Sequence, residues 1–237
     1  MTNDSLRAIK DALDAATPDQ RRATFERLRK EFPIHELETQ WNLQAEVILS
    51  AIARASDFTR RGVRGVIAEA CFEKYIVIPR LEIGWSAIAL DSDYPYDFKM
   101  EDQSGAVTVQ VKNQRMAKGA AKLWRPHTPG IYDAETDKSR RGEKEGEQTR
   151  RYRFGEFDVL AVCMHPSTGD WTKFLYTVGN WLMPRTEDAK SMAAHQPIDP
   201  SRIDEWTNDF DLAVKWFRSG AKRTITAPPA SSRKKKP

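Results

Sequence analysis

The chain has 237 residues, of which 40% are hydrophobic and 10% aromatic, so it is long enough for one large domain with a substantial core. No apolar run approaches the roughly 18 residues that span a bilayer, and the N-terminus shows no signal-peptide pattern. The net charge is only +4, and Cys71 and Cys163 have no metal-ligand spacing. These features argue against a membrane protein and predict a cytoplasmic one.

Residues 1–57 are predicted to form a helical N-terminal region. Thr17 and Pro18 are typical of a helix start, with the threonine as N-cap and the proline in the first turn. Pro33 is expected to end that helix, and a longer apolar pattern runs through residues 37–52.

A further helix is predicted over residues 59–75, with two stripes of different character. The core stripe is expected to consist of Val63, Ile67, Ala70 and the stem of Lys74. The second stripe consists of Gly62, Gly65, Glu69 and Glu73. Two glycines weaken a helix, so we expect this face to approach other backbone closely beside Glu69; a solvent-facing glutamate is the alternative.

Strands and one closing helix are predicted beyond residue 80. The strand segments are residues 82–90, 96–101, 106–112, 157–164 and 171–178, and the closing helix covers 201–218. Residues 113–153 have little apolar periodicity and predict a long charged loop. The fold class is therefore α/β (α+β), with a mixed central β-sheet flanked by helices over 58–219 and a disordered basic tail over 220–237.

The hairpin formed by the second and third of these strands gathers polar side chains. Gln110 and Lys112 project to the same face because they are two residues apart, and Asp97 is expected next to them on the paired strand. Glu69, on the preceding helix, can complete the group. Oxygen ligands of this kind suit Mg²⁺, and a lysine beside the metal can orient a water molecule or stabilise developing charge.

The order Glu69, Asp97 and Gln110-Val111-Lys112 resembles the PD-(D/E)XK nuclease superfamily, and within it the type II restriction endonucleases. The resemblance covers residues from about 60 to 180. It implies a restriction-endonuclease-like fold and Mg²⁺-dependent hydrolysis of phosphodiester bonds in double-stranded DNA. It also implies that Asp97, Gln110 and Glu69 bind the metal and that Lys112 positions the attacking water.

The sequence departs from the superfamily pattern at two positions. Pro95 precedes the aspartate by two residues instead of one, and Gln110 replaces Asp or Glu in the triplet. The glutamine removes one negative charge from the metal site, so a second carboxylate becomes more important. Glu69 and Glu101 are the candidates, and we favour Glu69.

Basic charge is concentrated in one internal segment and in the tail, which suits a polyanionic partner. Residues 113–154 carry eleven basic and six acidic residues, and residues 218–237 carry seven basic residues and no acid. A solvated loop and a solubilising tail are the alternatives. The candidate DNA contacts are Asn113, Gln114, Arg115, Lys118, Lys122, Arg140, Arg141, Arg150, Arg151 and Arg153.

These residues predict a type II site-specific deoxyribonuclease that acts on double-stranded DNA as a homodimer, with a cognate DNA methyltransferase as its genetic partner. The N-terminal helices are expected to provide dimer contacts or an arm around DNA. Two other functions stay open. One is a structure-specific repair or junction-resolving nuclease of the same superfamily, and the other is a catalytically inactive DNA-binding module.

Overall fold

The computed structural model describes residues 3–32, 35–91, 94–138, 143–144, 147–148 and 150–228. The chain divides into two compact units, Met1–Arg61 and Gly62–Pro237. Within the described residues, no helix is long and apolar enough to cross a membrane.

The first unit contains four helices: α1 Asn3–Ala15, α2 Pro18–Glu31, α3 Glu36–Trp41 and α4 Ala45–Arg54. Thr17 caps α2 as predicted, because its side chain accepts from the Gln20 N–H while the Gln20 side chain accepts from the Thr17 N–H. The apolar pattern over residues 37–52 belongs to two helices, since Asn42 adopts a left-handed conformation (φ 50°) that ends α3. No described residue of this unit is buried.

Helix α5 (Asp57–Phe72) runs on through a π-helical turn at Glu73–Val77 into α6 (Ile78–Leu81). The predicted core stripe was wrong: Ala68, Phe72 and Val77 are buried, whereas Ile67 is 38% exposed. The aromatic packing of Phe72 against Phe98, Phe174 and Phe210 sets the inward face. The expected close backbone contact at Gly62 and Gly65 is absent from the described part of the chain, because an added Cβ at either would meet no atom within 4 Å.

Five strands form the central sheet: β1 Ser86–Ile88, β2 Phe98–Asp102, β3 Gly105–Asn113, β9 Val159–Cys163 and β10 Phe174–Val178, in the order β1-β2-β3-β9-β10. All neighbours are antiparallel except β3 and β9, which are parallel. The predicted hairpin turn at residues 102–105 is confirmed, with Gly105 at φ 110°. The mixed sheet with helices confirms the predicted α+β class.

The segment 113–153 is more structured than the loop that its composition predicts. It contains β4 Met116–Ala117, β5 Ala120–Ala121, β6 Tyr132–Glu135, β7 Glu143–Lys144 and β8 Glu147–Gln148. β6 pairs with β11 (His195–Ile198), a strand 60 residues further along the chain. Short α7 (His165–Thr168) joins β9 to β10. Because β6 pairs with a strand so far away in sequence, the residues around it show no local periodicity that predicts a strand.

The closing helix α8 covers Phe210–Arg218, so the predicted start at residue 201 was too early. Asp209 caps it by accepting from the N–H groups of Asp211 and Leu212. Just before it, Thr207 exchanges two backbone hydrogen bonds with Tyr176, at 2.7 and 3.0 Å. Ile203, which lies in the range predicted for the helix, is 78% exposed.

Two apolar cores occupy the second unit, and β9 contributes to both because its five residues are all buried. Val107, Val109 and Val111 of β3 belong to the first core, with Ala68, Phe72 and Phe210. The second core includes Leu160, Tyr152, Trp181, Trp206 and Ile225. Gln110 and Lys112 alternate with the valines of β3 and therefore face the second core.

The tail was predicted to be disordered from residue 220, and its first part is packed instead. Ile225 is 1% exposed, and its N–H donates to the Trp181 carbonyl at 2.6 Å. Residues 229–237, which include the terminal basic cluster, lie outside the described residues.

Candidate functional site

Asp97 precedes β2 and is fixed against β3 by backbone hydrogen bonds. Its N–H donates to the Val109 carbonyl at 2.9 Å, which continues the β2–β3 pairing by one residue. Its Oδ2 accepts from the Val111 N–H at 2.7 Å and from Nε2 of Gln110. The hairpin therefore brings Asp97 and Gln110 together, as the sequence predicts.

Gln110 and Lys112 meet a third side chain, Tyr152. Gln110 is 3% exposed, and its Oε1 accepts from the Tyr152 hydroxyl at 2.8 Å. Nζ of Lys112 lies 3.5 Å from the same hydroxyl oxygen and 5.1 Å from the centroid of the tyrosine ring. The three polar groups thus form one connected cluster on a single face of β3.

The charges of Glu69, Asp97 and Lys112 act on one another. Burial and the Asp97 charge raise the pKa of Glu69 to about 7, while the Lys112 ammonium opposes that rise. Burial also raises the pKa of Asp97, against the hydrogen bond from Val111 and the charge of Lys112. Burial lowers the pKa of Lys112 despite the nearby charges of Asp97 and Glu69. Glu69 is therefore part of the site electrostatically.

The oxygen atoms of this site fit a hard divalent cation. No hydrogen bond within the described residues reaches Oδ1 of Asp97 or either carboxylate oxygen of Glu69. The charge of Asp97 disfavours the ionised form of Glu69, and a bound cation would relieve that repulsion. No group of three or more His, Cys, Asp or Glu able to hold a metal occurs in the described chain, so water and substrate phosphate would complete the Mg²⁺ shell.

The amide of Gln110 does not present its oxygen to the metal position beside Asp97. Its nitrogen faces the Asp97 carboxylate and its oxygen faces Tyr152. In this structure the amide fixes Asp97, and the direct ligand role of Gln110 stays a prediction. Glu101, the other carboxylate considered, is exposed and lies four residues further along the strand, roughly 13 Å away at 3.3 Å per residue.

Of the predicted DNA contacts next to the site, Gln114 is buried and Asn113 is half-buried. Gln114 is 1% exposed, and neither polar atom of its amide has a hydrogen-bond partner among the described residues. Oδ1 of Asn113 is likewise buried without a partner. The Gln114 side chain does not reach the surface in this structure, and its contact with phosphate stays a prediction.

Arg115 and Lys122 are engaged in an internal ion cluster around Asp133. NH1 of Arg115 and Nζ of Lys122 lie 3.2 and 2.8 Å from Oδ2 of Asp133. Nδ1 of His195 lies 3.0 Å from Oδ1 of the same carboxylate, which is 3% exposed. Hydrogen bonds from His195 and Lys122 hold the pKa of Asp133 below its usual value despite its burial.

The other predicted DNA contacts are scattered. Lys118 is exposed in a turn at φ 51°. Nε of Arg150 donates to the Lys138 carbonyl at 3.1 Å, Arg151 is half-buried and Arg153 is exposed. Arg140 and Arg141 lie outside the described residues. A role for these side chains at DNA stays a prediction.

Tyr152 is the site residue that the sequence analysis missed. It stands between Arg151 and Arg153 in a charged run, which conceals that it is 5% exposed. The available signal was chemical: an aromatic residue in a segment that otherwise lacks apolar residues needs a buried location. Nothing local indicates that this location is beside Gln110.

No family model matches the chain, and no curated protein matches it. A solved structure of a bacterial homing endonuclease, I-Ssp6803I, is similar, with 14% identity and a TM-score of 0.41. The similarity covers 67% of this chain and 94% of that one. At this identity and TM-score the likeness carries no information on the activity of this chain.

Proposed function

We propose that this chain is a Mg²⁺-dependent endonuclease that hydrolyses phosphodiester bonds of double-stranded DNA at a specific sequence, as a type II restriction enzyme does. The observation that supports it is the hydrogen-bonded cluster that links Asp97 and Lys112 through Gln110 and Tyr152. The charges of Asp97 and Lys112 also act on Glu69. Carboxylates with unused oxygens next to a buried ammonium are the groups that metal-assisted hydrolysis of a phosphate ester needs.

Each of these residues has a separate task in the proposed reaction. Asp97 and Glu69 would hold the metal, and Gln110 keeps the Asp97 carboxylate in place. When bound, Mg²⁺ lowers the pKa of a coordinated water and offsets charge at the phosphate. Lys112 donates hydrogen bonds that orient the attacking water and stabilise negative charge on the phosphate oxygens. The water oxygen bonds to phosphorus and releases a proton to solvent, the bond to the leaving sugar oxygen breaks, and that oxygen takes up a proton from solvent.

The test is incubation of the purified protein with unmethylated phage DNA, with Mg²⁺ or with EDTA, followed by sequencing of the ends. We expect discrete Mg²⁺-dependent fragments that share one end sequence. Asp97→Ala and Lys112→Ala should each lower the cleavage rate at least about 1,000-fold and leave DNA binding in place. Lys99→Ala and Glu101→Ala, on the same hairpin, are the matched controls and should cut at the wild-type rate.

A catalytically inactive DNA-binding module is the second candidate, favoured by the amide at position 110 in place of a carboxylate. Salt-sensitive DNA binding without Mg²⁺-dependent cleavage of any substrate would support it. Cleavage of branched DNA alone would instead indicate a structure-specific repair or junction-resolving nuclease.

The partners follow from the proposed reaction. Each chain carries one such site, and a duplex has two strands, so we propose a homodimer as the active form. A nuclease that recognises a sequence in its own genome needs that sequence protected, so we expect a DNA methyltransferase gene beside it.

A further inference from the structure

We propose that Tyr152 is a positioning residue of this site, whose hydroxyl fixes the direction of the Gln110 amide and holds the Lys112 ammonium beside it. The inference rests on the proposed nuclease function and assigns a role to a residue outside the hairpin. Tyr152 lies 42 residues after Gln110 along the chain, and their side chains are joined at 2.8 Å.

An amide is chemically asymmetric, so its two ends need different partners. Nε2 of Gln110 donates both to Oδ2 of Asp97 and to the Val111 carbonyl, the latter at 3.0 Å. A rotation by half a turn would place the amide oxygen against the Asp97 carboxylate and the Val111 carbonyl, where three acceptors would repel one another. Tyr152 stabilises the observed direction because its hydroxyl supplies the donor that the amide oxygen requires.

The same hydroxyl oxygen is a possible acceptor for Lys112. Nζ of Lys112 lies 3.5 Å from it, at the long limit of a hydrogen bond, and 5.1 Å from the ring centroid. The donors then point in one direction, from Lys112 to Tyr152, from Tyr152 to Gln110, and from Gln110 to Asp97. Tyr152 is therefore the link between the ammonium and the carboxylate of the site.

The ring of Tyr152 is fixed from several sides, so its hydroxyl has a defined place. It packs edge-on against Phe157, with centroids 5.3 Å apart at 83°. Nζ of Lys138 lies 4.8 Å from the ring centroid, and that ammonium is paired with Glu156 at 3.0 Å. The backbone carbonyl of Tyr152 accepts from the Met192 N–H at 2.8 Å. A side chain held this firmly can orient its partners.

Tyr152→Phe is the decisive variant, because it removes only the hydroxyl and keeps the ring. Tyr176→Phe is the matched control: Tyr176 is 1% exposed and packs in the other core, against Phe72 and Phe210. Three quantities are measured in wild type and both variants: the single-turnover cleavage rate, the DNA affinity, and the side-chain amide NMR signals of Gln110, which are assigned with Gln110→Ala.

We expect Tyr152→Phe to lower the cleavage rate about 10- to 100-fold, to leave DNA affinity unchanged, and to shift the Gln110 amide signals. Tyr176→Phe should change none of these. Unmoved Gln110 signals in Tyr152→Phe, or a wild-type cleavage rate, would overturn the inference. So would an unfolded Tyr152→Phe protein, since the hydroxyl would then serve core stability. If wild type cuts no DNA, the proposed function fails, and the NMR signals still decide whether Tyr152 orients Gln110.

Discussion

The two units of this chain bury their apolar residues to opposite extents. In Met1–Arg61 no described residue is buried, and Phe32, Trp41, Leu49 and Phe58 are each more than half exposed. In Gly62–Pro237 two cores enclose side chains as large as Trp181, Trp206 and Phe72. An amphipathic pattern thus indicates helices in both units, although not their bounds, and it does not show what covers the apolar face.

Apart from the ion pair between Arg29 of α2 and Glu46 of α4, the interactions described in the first unit are mainly local. They include the capping box at Thr17 and a hydrogen bond of 2.6 Å from the Ala45 N–H to Oε1 of Glu38. Caps of this kind contribute about 1 kcal/mol each. The second unit depends on contacts between residues far apart in sequence. The units should therefore respond differently to the same substitution.

The largest difference is expected for loss of a phenylalanine ring. Phe72 is 0% exposed, so Phe72→Ala should lower the free energy of unfolding by about 3–5 kcal/mol. Phe25 is 49% exposed, and Phe25→Ala should cost less than about 1 kcal/mol. Urea unfolding monitored by tryptophan fluorescence measures both. Equal losses would show that the first unit has a core of its own in solution.

The next effect concerns self-association through the exposed apolar residues of the first unit. If that unit forms the proposed homodimer, Leu49→Asp should raise the dissociation constant at least about tenfold, a change of about 1.4 kcal/mol. Ile203→Asp is the control, since Ile203 is 78% exposed in the second unit. Sedimentation velocity over a range of concentrations measures the dissociation constants of both variants. Association unaffected by Leu49→Asp would place the dimer contact elsewhere.

A smaller effect is expected from Glu69, whose pKa of about 7 in the folded chain lies above its ordinary value of 4.5. The folded state binds the proton of the Glu69 carboxyl more tightly than the unfolded state does. The free energy of unfolding therefore falls as pH rises from about 4.5 to about 7, and it stays constant above pH 7. Glu69→Gln should equal wild type at pH 4 and exceed it at pH 8 by about 1 kcal/mol, since solvent screens a partly exposed group.

Mg²⁺ provides the control for this substitution. At pH 8 the ion should stabilise wild type and leave Glu69→Gln unchanged, because the variant lacks one of the two carboxylates. Glu73→Gln, one helical turn further along, should behave as wild type in both conditions. Equal stabilisation of all three proteins by Mg²⁺ would remove Glu69 from the metal site.

The smallest effect on stability is expected at the ion pair between Asp102 and Arg218. The two terminal nitrogens of Arg218 lie 2.9 and 2.7 Å from the two carboxylate oxygens of Asp102. The hydrogen bond from Arg218 holds the pKa of Asp102 below its ordinary value of 3.8. The stabilisation is therefore present above pH 3.8 and is lost as pH falls through the lower, folded-state value.

Asp102→Asn should lower stability at pH 7 by less than about 1 kcal/mol and have no effect at strongly acid pH. Asp204→Asn, which breaks the more exposed pair with Arg223, should have a still smaller effect. Thermal unfolding as a function of pH measures both. A loss in Asp102→Asn that is independent of pH would point to packing instead of charge.

The site residues that share a hairpin were predictable from the sequence, because two adjacent strands fix which side chains are neighbours. Asp97, Gln110 and Lys112 meet for this reason. Tyr152 was not predictable, since its position depends on contacts with Lys138 and Met192, which lie 14 and 40 residues away along the chain. The direction of the Gln110 amide was also beyond the sequence, because it is decided by Tyr152. The same limit explains why the strands within residues 113–153 and the packed Ile225 were not foreseen.

The parallel pairing of β3 with β9 has a consequence for folding. The Thr108 N–H and hydroxyl both donate to Oδ2 of Asp158 at 2.8 Å, which fixes the register where the two strands begin to pair. The contact closes a loop of 50 residues, and such non-local contacts slow folding because chain entropy is lost before they form. A slip by one residue would turn Lys112 into the first core. We therefore expect Thr108→Val to slow refolding. We also expect the site to form only after residues 158–163 have paired with β3.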